Sequence, residues 1–253
     1  MMKLARYLHE GHIRYGILEG DTLHELESTP FSGIEKQGRT CGLDEVEILP
    51  PVFPQKIIAV GLNYRDHAEE FDLEMPDEPV LFMKPPSSLL AHDGEIIYPP
   101  MSKRVDYEAE LVLVCGAECR NVGAAEAPAY ILGYTCGNDV TARDLQAKDG
   151  QWTRAKSFDT FCPLGPFIET DVDPGDLAIE LRLNGEAHQS SNTANMAFSP
   201  LELLSFTSRI MTLFPGDVIM TGTPSGVGEM FPGDTVEVLI AGLDPLRNSV
   251  IQR

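Results

Sequence analysis

Positive charge is scarce in this chain. It carries 19 Lys and Arg against 39 Asp and Glu, a formal net charge of −20. Such a surface repels phosphate backbones, which disfavours a nucleic-acid partner and leaves solubility as the simplest role of the acidity. Long apolar runs are also missing. No stretch approaches the length of a membrane span, and MMKLARYLHEGHIRYG at the N-terminus holds no sustained apolar h-region, so neither a membrane partner nor a signal peptide is expected. The five cysteines (Cys41, Cys115, Cys119, Cys136 and Cys162) are odd in number and form no CxxC pair. That argues against a disulfide framework and against a structural zinc site. Reduced, mostly buried thiols and a cytoplasmic location are expected instead.

What is present is a globular composition rich in short strand signals. The hydrophobic fraction of 43% suits one large β-rich domain, or a main domain with a small appendage. Residues 1–50 read as a small β unit, with turns at Glu10-Gly11 and Glu19-Gly20-Asp21. His9, His12 and His24 fall there without metal-ligand spacing. The Pro-rich stretch from Leu49 to Pro54 marks a boundary, which leaves 51–253 as the main domain. In it, Lys56–Gly61 and Val80–Lys84 read as strands. Asn63–Glu70 can start a helical turn, and the acidic, Pro-punctuated stretch Phe71–Pro79 reads as a loop. Ala124–Ala129 and Val140–Lys148 have helical patterns, the second with Thr141 and Asp144 at capping-box spacing. Gln151–Phe161 reads as an irregular loop, and Leu201–Thr212 as an amphipathic helix. Pro-Gly-Asp recurs at 174–176, 215–217 and 232–234, each time before an apolar run, and predicts three type II turns feeding three strands. Many short strands and few helices predict a mainly β (α+β) fold, a rolled sandwich or mixed β-roll with helices packed outside.

The stretch Arg104–Val114 (RVDYEAELVLV) reads as one strand. Period two puts Glu108 and Glu110 on one face, continued by Val112 and Val114, with Tyr107, Ala109, Leu111 and Leu113 on the other. Two adjacent carboxylates beside apolar core repel each other and resist burial, and a divalent cation between them resolves both problems. Asp139, where a strand gives way to a helix, is the natural third ligand. Three carboxylates without Cys or His select a hard cation, Mg²⁺, Mn²⁺ or Ca²⁺. A solvent-facing strand edge explains the two glutamates equally well, and a helix N-cap explains Asp139. His67 and Glu70, three residues apart, form either a base dyad or an ordinary exposed turn. Lys156 either stabilises an oxyanion or lies on the surface. Gly222–Gly228 either cradles an anion or forms a tight turn.

Taken together and in this order, GLNYRDHAEE, KPPSSL, DYEAEL, GNDVTARDLQ, WTRAKSFDTFCPLGP and PGDVIMTGTPSGVG resemble the fumarylacetoacetate hydrolase family from Lys56 to the C-terminus. The resemblance implies a mixed β-roll and, commonly, a homodimer. It implies Mg²⁺ or Mn²⁺ on Glu108, Glu110 and Asp139. It also implies a His67–Glu70 dyad on a short lid helix and a catalytic Lys156. Arg143, Gln146 and Thr223 match positions at the substrate, with Arg65 placed among them. The segment Ala147–Gln151 is short beside some relatives, which bears on pocket size. The implied substrate is a small 2-oxo or 2,4-dioxo acid, and the implied reaction is hydrolysis of a C–C bond through a metal-stabilised enolate. Decarboxylation or tautomerisation of oxaloacetate, and isomerisation of a hydroxymuconate-like diacid, share that intermediate. A non-catalytic metabolite-binding module and a structural Ca²⁺ site are the competing classes.

Overall fold

A computed structural model describes residues 2–70 and 72–252. Among these the strands form three sheets. The largest runs in the order Lys36–Gly42, Thr22–Leu26, His12–Glu19, Lys3–His9, Cys162–Glu169, Ile131–Asn138, Ala109–Cys115, Val218–Met220, Ile57–Val60, Leu81–Lys84. A second sheet joins Glu186–Asn192, Ala178–Leu183, Thr235–Ile240, Leu246–Gln252 and Glu95–Tyr98, and a small third sheet joins Thr141–Ala142, Val105–Tyr107 and Gly228–Glu229. The fold is mainly β, as the strand signals predict. The described helices are α1 (Arg65–Glu70), α2 (Arg143–Asp149), α3 (Thr153–Lys156) and α4 (Pro200–Ile210).

The strand Ala109–Cys115 is fully buried and lies at the centre of the large sheet. Its alternation sorts side chains onto two faces. Leu111 and Leu113 join one apolar cluster with Ile219 and Leu203, while Val112 and Val114 join another with Ile57, Leu164 and Val218. The second cluster also takes in Leu4, Ile17 and Leu26 from the N-terminal strands. Lys3–His9 pairs antiparallel with Cys162–Glu169, so those strands continue the main sheet. Cys115, Cys119, Cys136 and Cys162 are buried and Cys41 is partly so. No helix among the described residues is long and apolar enough to cross a membrane.

Several local expectations are corrected. The Arg104–Val114 stretch is two strands in two sheets, Val105–Tyr107 and Ala109–Cys115, broken at Glu108. Side chains replace ladder partners at the break: Glu108 N–H donates to Asn138 Oδ1 and Ala109 N–H to Gln189 Oε1, both at 2.9 Å. The helix expected from Val140 begins at Arg143, because Thr141–Ala142 pairs as a strand with Val105 and Asp106. There is no capping box. The Thr141 hydroxyl donates to Asp139 O at 2.8 Å, and Asp144 accepts from Ser102 Oγ at 2.6 Å and Lys103 N at 3.1 Å.

The expected loop Gln151–Phe161 contains α3, and the helical pattern at 124–129 gives only a 3₁₀ turn at Ala127–Tyr130. All three Pro-Gly-Asp motifs precede strands, but only Gly216 (φ 86°) and Gly233 (φ 103°) adopt the positive φ a type II turn requires. Helix α4 starts where Ser199 Oγ accepts from Glu202 N and Glu202 Oε2 accepts from Ser199 N. Phe71, the first residue of the expected loop, lies outside the described residues. From residue 72 to Val80 the chain has no regular element.

Candidate active site

The break at Glu108 creates the site. Asp139 N–H donates to Glu108 O at 2.9 Å, which fixes the end of Ile131–Asn138 against the break. Glu110 lies opposite Gly137 in the same pairing. A Cβ at Gly137 would come within 2.5 Å of Val112 Cγ2, so this close packing depends on glycine. Glu108, Glu110 and Asp139 are each 5% exposed or less, and one carboxylate oxygen from each lies within 4.8 Å of the others. The three acidic groups picked out in the sequence therefore converge in a buried cluster.

Like charges at this spacing need compensation. Lys156, 2% exposed, donates to Glu108 Oε2 at 2.7 Å and Asp139 Oδ2 at 2.6 Å. Lys84, 1% exposed, donates to Asp139 Oδ1. Arg143 Nη2 donates to Glu108 Oε1 at 2.5 Å. Burial pushes the Glu108 carboxyl up, but the charges of Lys156 and Arg143 outweigh it and hold the group below the usual carboxylate range. Glu110 goes the other way. Burial first, then the charges of Asp139 and Glu108, push it well above that range. Its Oε2 accepts from Gly222 N–H at 2.8 Å. Burial lowers Lys156, but Asp139 and Glu108 more than offset this and raise it.

Of the other residues singled out in the sequence, His67, Arg143, Gln146, Lys156 and Thr223 line one cleft of about 450 Å³ together with Glu108. Its apolar wall includes Leu73, Trp152 and Val227. Thr223 Oγ1 accepts from the buried Gln189 amide at 2.8 Å. Glu70 Oε2 stands 3.4 Å from His67 Nδ1, and Glu70 also accepts from Gly226 N–H at 3.1 and 3.2 Å. The glycine-rich loop thus tethers the end of α1. Arg65 is placed differently from the expectation: its Nη1 donates to Met196 O at 2.9 Å, away from the cleft lining.

Sequence reasoning gave no role to Lys84, Arg104 or Asp106. Asp106 had a signal, since it extends the period-two row of Glu108 and Glu110 by one more acid. Arg104 stood at the head of that stretch, and Lys84 opened KPPSSL.

A mainly β fold with a buried acidic triad, one member of which lines an apolar-walled cleft, defines a class of small-molecule enzyme scaffolds. The family model for the fumarylacetoacetate (FAA) hydrolase C-terminal domain matches residues 56–251, and that for the Rv2993c-like N-terminal domain matches residues 2–51. The chain belongs to the fumarylacetoacetate hydrolase family. It is 43% identical to oxaloacetate tautomerase FAHD2B, mitochondrial, of Homo sapiens, over 98% of this chain and 79% of that protein. Its structure superposes on 5-carboxymethyl-2-hydroxymuconate delta-isomerase from Mycobacterium smegmatis with a TM-score of 0.95, at 42% identity and 100% coverage of both chains. Maleylpyruvate hydrolase from Sphingobium, solved with manganese (II) and pyruvate, gives a TM-score of 0.83 at 29% identity over 99% of each chain. Hydrolases, isomerases and a tautomerase of small organic acids therefore share this scaffold.

Proposed function

We propose that this chain is a divalent-metal-dependent enzyme that hydrolyses a C–C bond in a small 2,4-dioxo acid of the acylpyruvate type. The supporting observation is the convergence of Glu108, Glu110 and Asp139 in a buried cluster whose Glu108 lines a cleft that also holds Lys156 and His67. The donor chemistry fits a hard cation, because all three groups are buried oxygen donors with no sulfur or imidazole among them. Glu110, its pKa raised by burial first and then by the charges of Asp139 and Glu108, marks where positive charge is wanted. Bound there, Mg²⁺ or Mn²⁺ would act as a Lewis acid on the 2-keto oxygen of the substrate.

The chain's own residues have separable roles in this reading. Lys156 has a raised pKa, so it stays an ammonium and donates hydrogen bonds to a developing oxyanion. His67 is the base that takes a proton from water, with Glu70 orienting the ring and Gly226 N–H anchoring Glu70. Gln146 and Thr223 fix the substrate by hydrogen bonds, while Trp152 and Leu73 shield its carbon chain. Tautomerisation of oxaloacetate is the second reading, favoured by the human relative. It needs the same base and the same oxyanion stabilisation, but no water as nucleophile. A homodimer is part of the proposal, and sedimentation should give twice 27.8 kDa.

The test is turnover of acylpyruvates and oxaloacetate with Mg²⁺, together with calorimetric titration of Mg²⁺ and Mn²⁺. Glu108→Ala should abolish both activity and tight cation binding while the chain stays folded by circular dichroism. Full activity of that variant under strict chelation would remove the proposal. His67→Ala should stop hydrolysis and spare decarboxylation, since only hydrolysis needs an activated water.

A further inference from the structure

Two guanidinium groups flank the cleft, bridged by one carboxylate. Asp106 is 0% exposed. It accepts from Arg104 Nε at 2.9 Å, from Arg104 Nη2 at 3.1 Å and from Arg143 Nε at 2.9 Å. The family resemblance places Arg143 at the substrate, yet every nitrogen of Arg143 already donates to the protein. Nε goes to Asp106, Nη1 to Gln146 Oε1 at 2.8 Å and Nη2 to Glu108 Oε1 at 2.5 Å.

Arg104 is different. Its hydrogen bonds to Asp106 use Nε and Nη2, and Nη1 takes part in neither. Its side chain is 50% exposed, against 26% for Arg143, and it lines the cleft. A guanidinium carries five N–H donors in a planar fork suited to a carboxylate. Asp106 holds this fork in place before any ligand arrives, which lowers the ordering cost of binding. The backbone is fixed as well, because Arg104 O accepts from Arg143 N at 2.9 Å.

The charge balance points the same way. Asp106, Glu108 and Asp139 are ion-paired with Lys84, Arg104, Arg143 and Lys156, and a cation in the triad would make Glu110 the fourth carboxylate against those four cations. A dication in the triad would leave two positive charges in excess. A doubly negative substrate cancels them, and a singly negative one cancels half.

We propose that Arg104 binds a second substrate carboxylate, remote from the 2-oxo acid end, so that the cleft selects 2-oxo dicarboxylic acids over their monocarboxylic counterparts. This rests on reading the cleft as a 2-oxo acid site, and the test separates the two. Wild type, Arg104→Gln and Arg104→Lys are compared with Mg²⁺ in the keto–enol tautomerisation of oxaloacetate and of its 4-methyl ester, which keeps the enolisable C3 and lacks only the distal charge. Calorimetric binding of 2-oxoglutarate and of oxalate, which has no distal group, is measured in parallel.

The expected result is that wild type prefers the diacid. Arg104→Gln should lower kcat/KM for oxaloacetate about 10- to 100-fold, mainly through KM, the range of one charge-assisted hydrogen-bonded pair. The ester should change less than about threefold on the same grounds, and Arg104→Lys should recover part of the loss. Binding of 2-oxoglutarate should weaken with oxalate unchanged. Equal losses on diacid and ester, or equal weakening of both ligands, would overturn the proposal. If wild type turns over neither compound, the functional reading fails, and the calorimetric pair still decides the role of Arg104.

Discussion

Asp139 is shared by two buried ammonium groups, Lys84 and Lys156, from segments 55 and 17 residues away. Removing one partner of a buried ion pair costs more than the pair itself contributes, because the remaining charge loses its compensation. Lys84→Met should therefore destabilise the metal-free protein by about 3 kcal/mol in urea unfolding. Mg²⁺ should restore part of that loss, because a ligand that binds only the folded state stabilises it. A variant as stable as wild type without Mg²⁺ would show that Lys84 carries no such burden. Glu108 and Glu110 were legible in the sequence because period two is a local property and they share a face by spacing alone. Lys84 was not. A lysine that ends an apolar run looks the same whether its ammonium reaches water or a carboxylate 55 residues away, and only the fold distinguishes the two.

At the level of elements, α2 presents Arg143 and Gln146 to the cleft, and Asp144 fixes where it begins. Its carboxylate takes Ser102 Oγ and Lys103 N–H. Burial pushes Asp144 up, but these hydrogen bonds prevail and its pKa is lowered. Stabilisation from a lowered carboxyl is present above the ordinary Asp pKa and is lost as pH falls through the folded-state value. Asp144→Asn should cost roughly 1–2 kcal/mol at pH 7 and much less near pH 2, as read from paired denaturation curves. An equal cost at both pH values would contradict the assignment. The sequence pattern here predicts a capping box, and the error is instructive. Thr141 and Asp144 have the right spacing, but Thr141–Ala142 is claimed by Val105 and Asp106 as a strand. Tertiary pairing outranks a local cap. Conversely, the Ser199–Glu202 box of α4, not picked out in the sequence, has no competing strand and forms.

For the whole molecule, strand signals and turn residues were enough to establish a mainly β chain, because each is a local preference. Strand order was not legible, since pairing Lys3–His9 with Cys162–Glu169 spans more than half the sequence. We propose residues 1–50 and 51–253 as two domains that do not have separate stability. Leu4, Ile17 and Leu26 share one apolar cluster with Val112, Leu164 and Val218, and Phe31 packs beside Gly216. Each fully buried aliphatic side chain contributes about 2 kcal/mol, so losing three approaches the net stability of a typical domain. Deleting residues 1–50 should give an aggregating chain with a lost or strongly lowered thermal transition. A monodisperse 51–253 fragment that melts like the full chain would refute the coupling.

The interruption at Glu108 has a consequence for how this stretch tolerates change in length. Side-chain direction in extended backbone is a parity, and one residue inserted or deleted between Glu108 and Glu110 would reverse it. Glu108 and Glu110 would no longer meet Asp139 together, whatever residue was added or lost. The irregular segment after α1 has no such parity to preserve. Lengthening there would reshape the mouth of the cleft and leave its floor as it is.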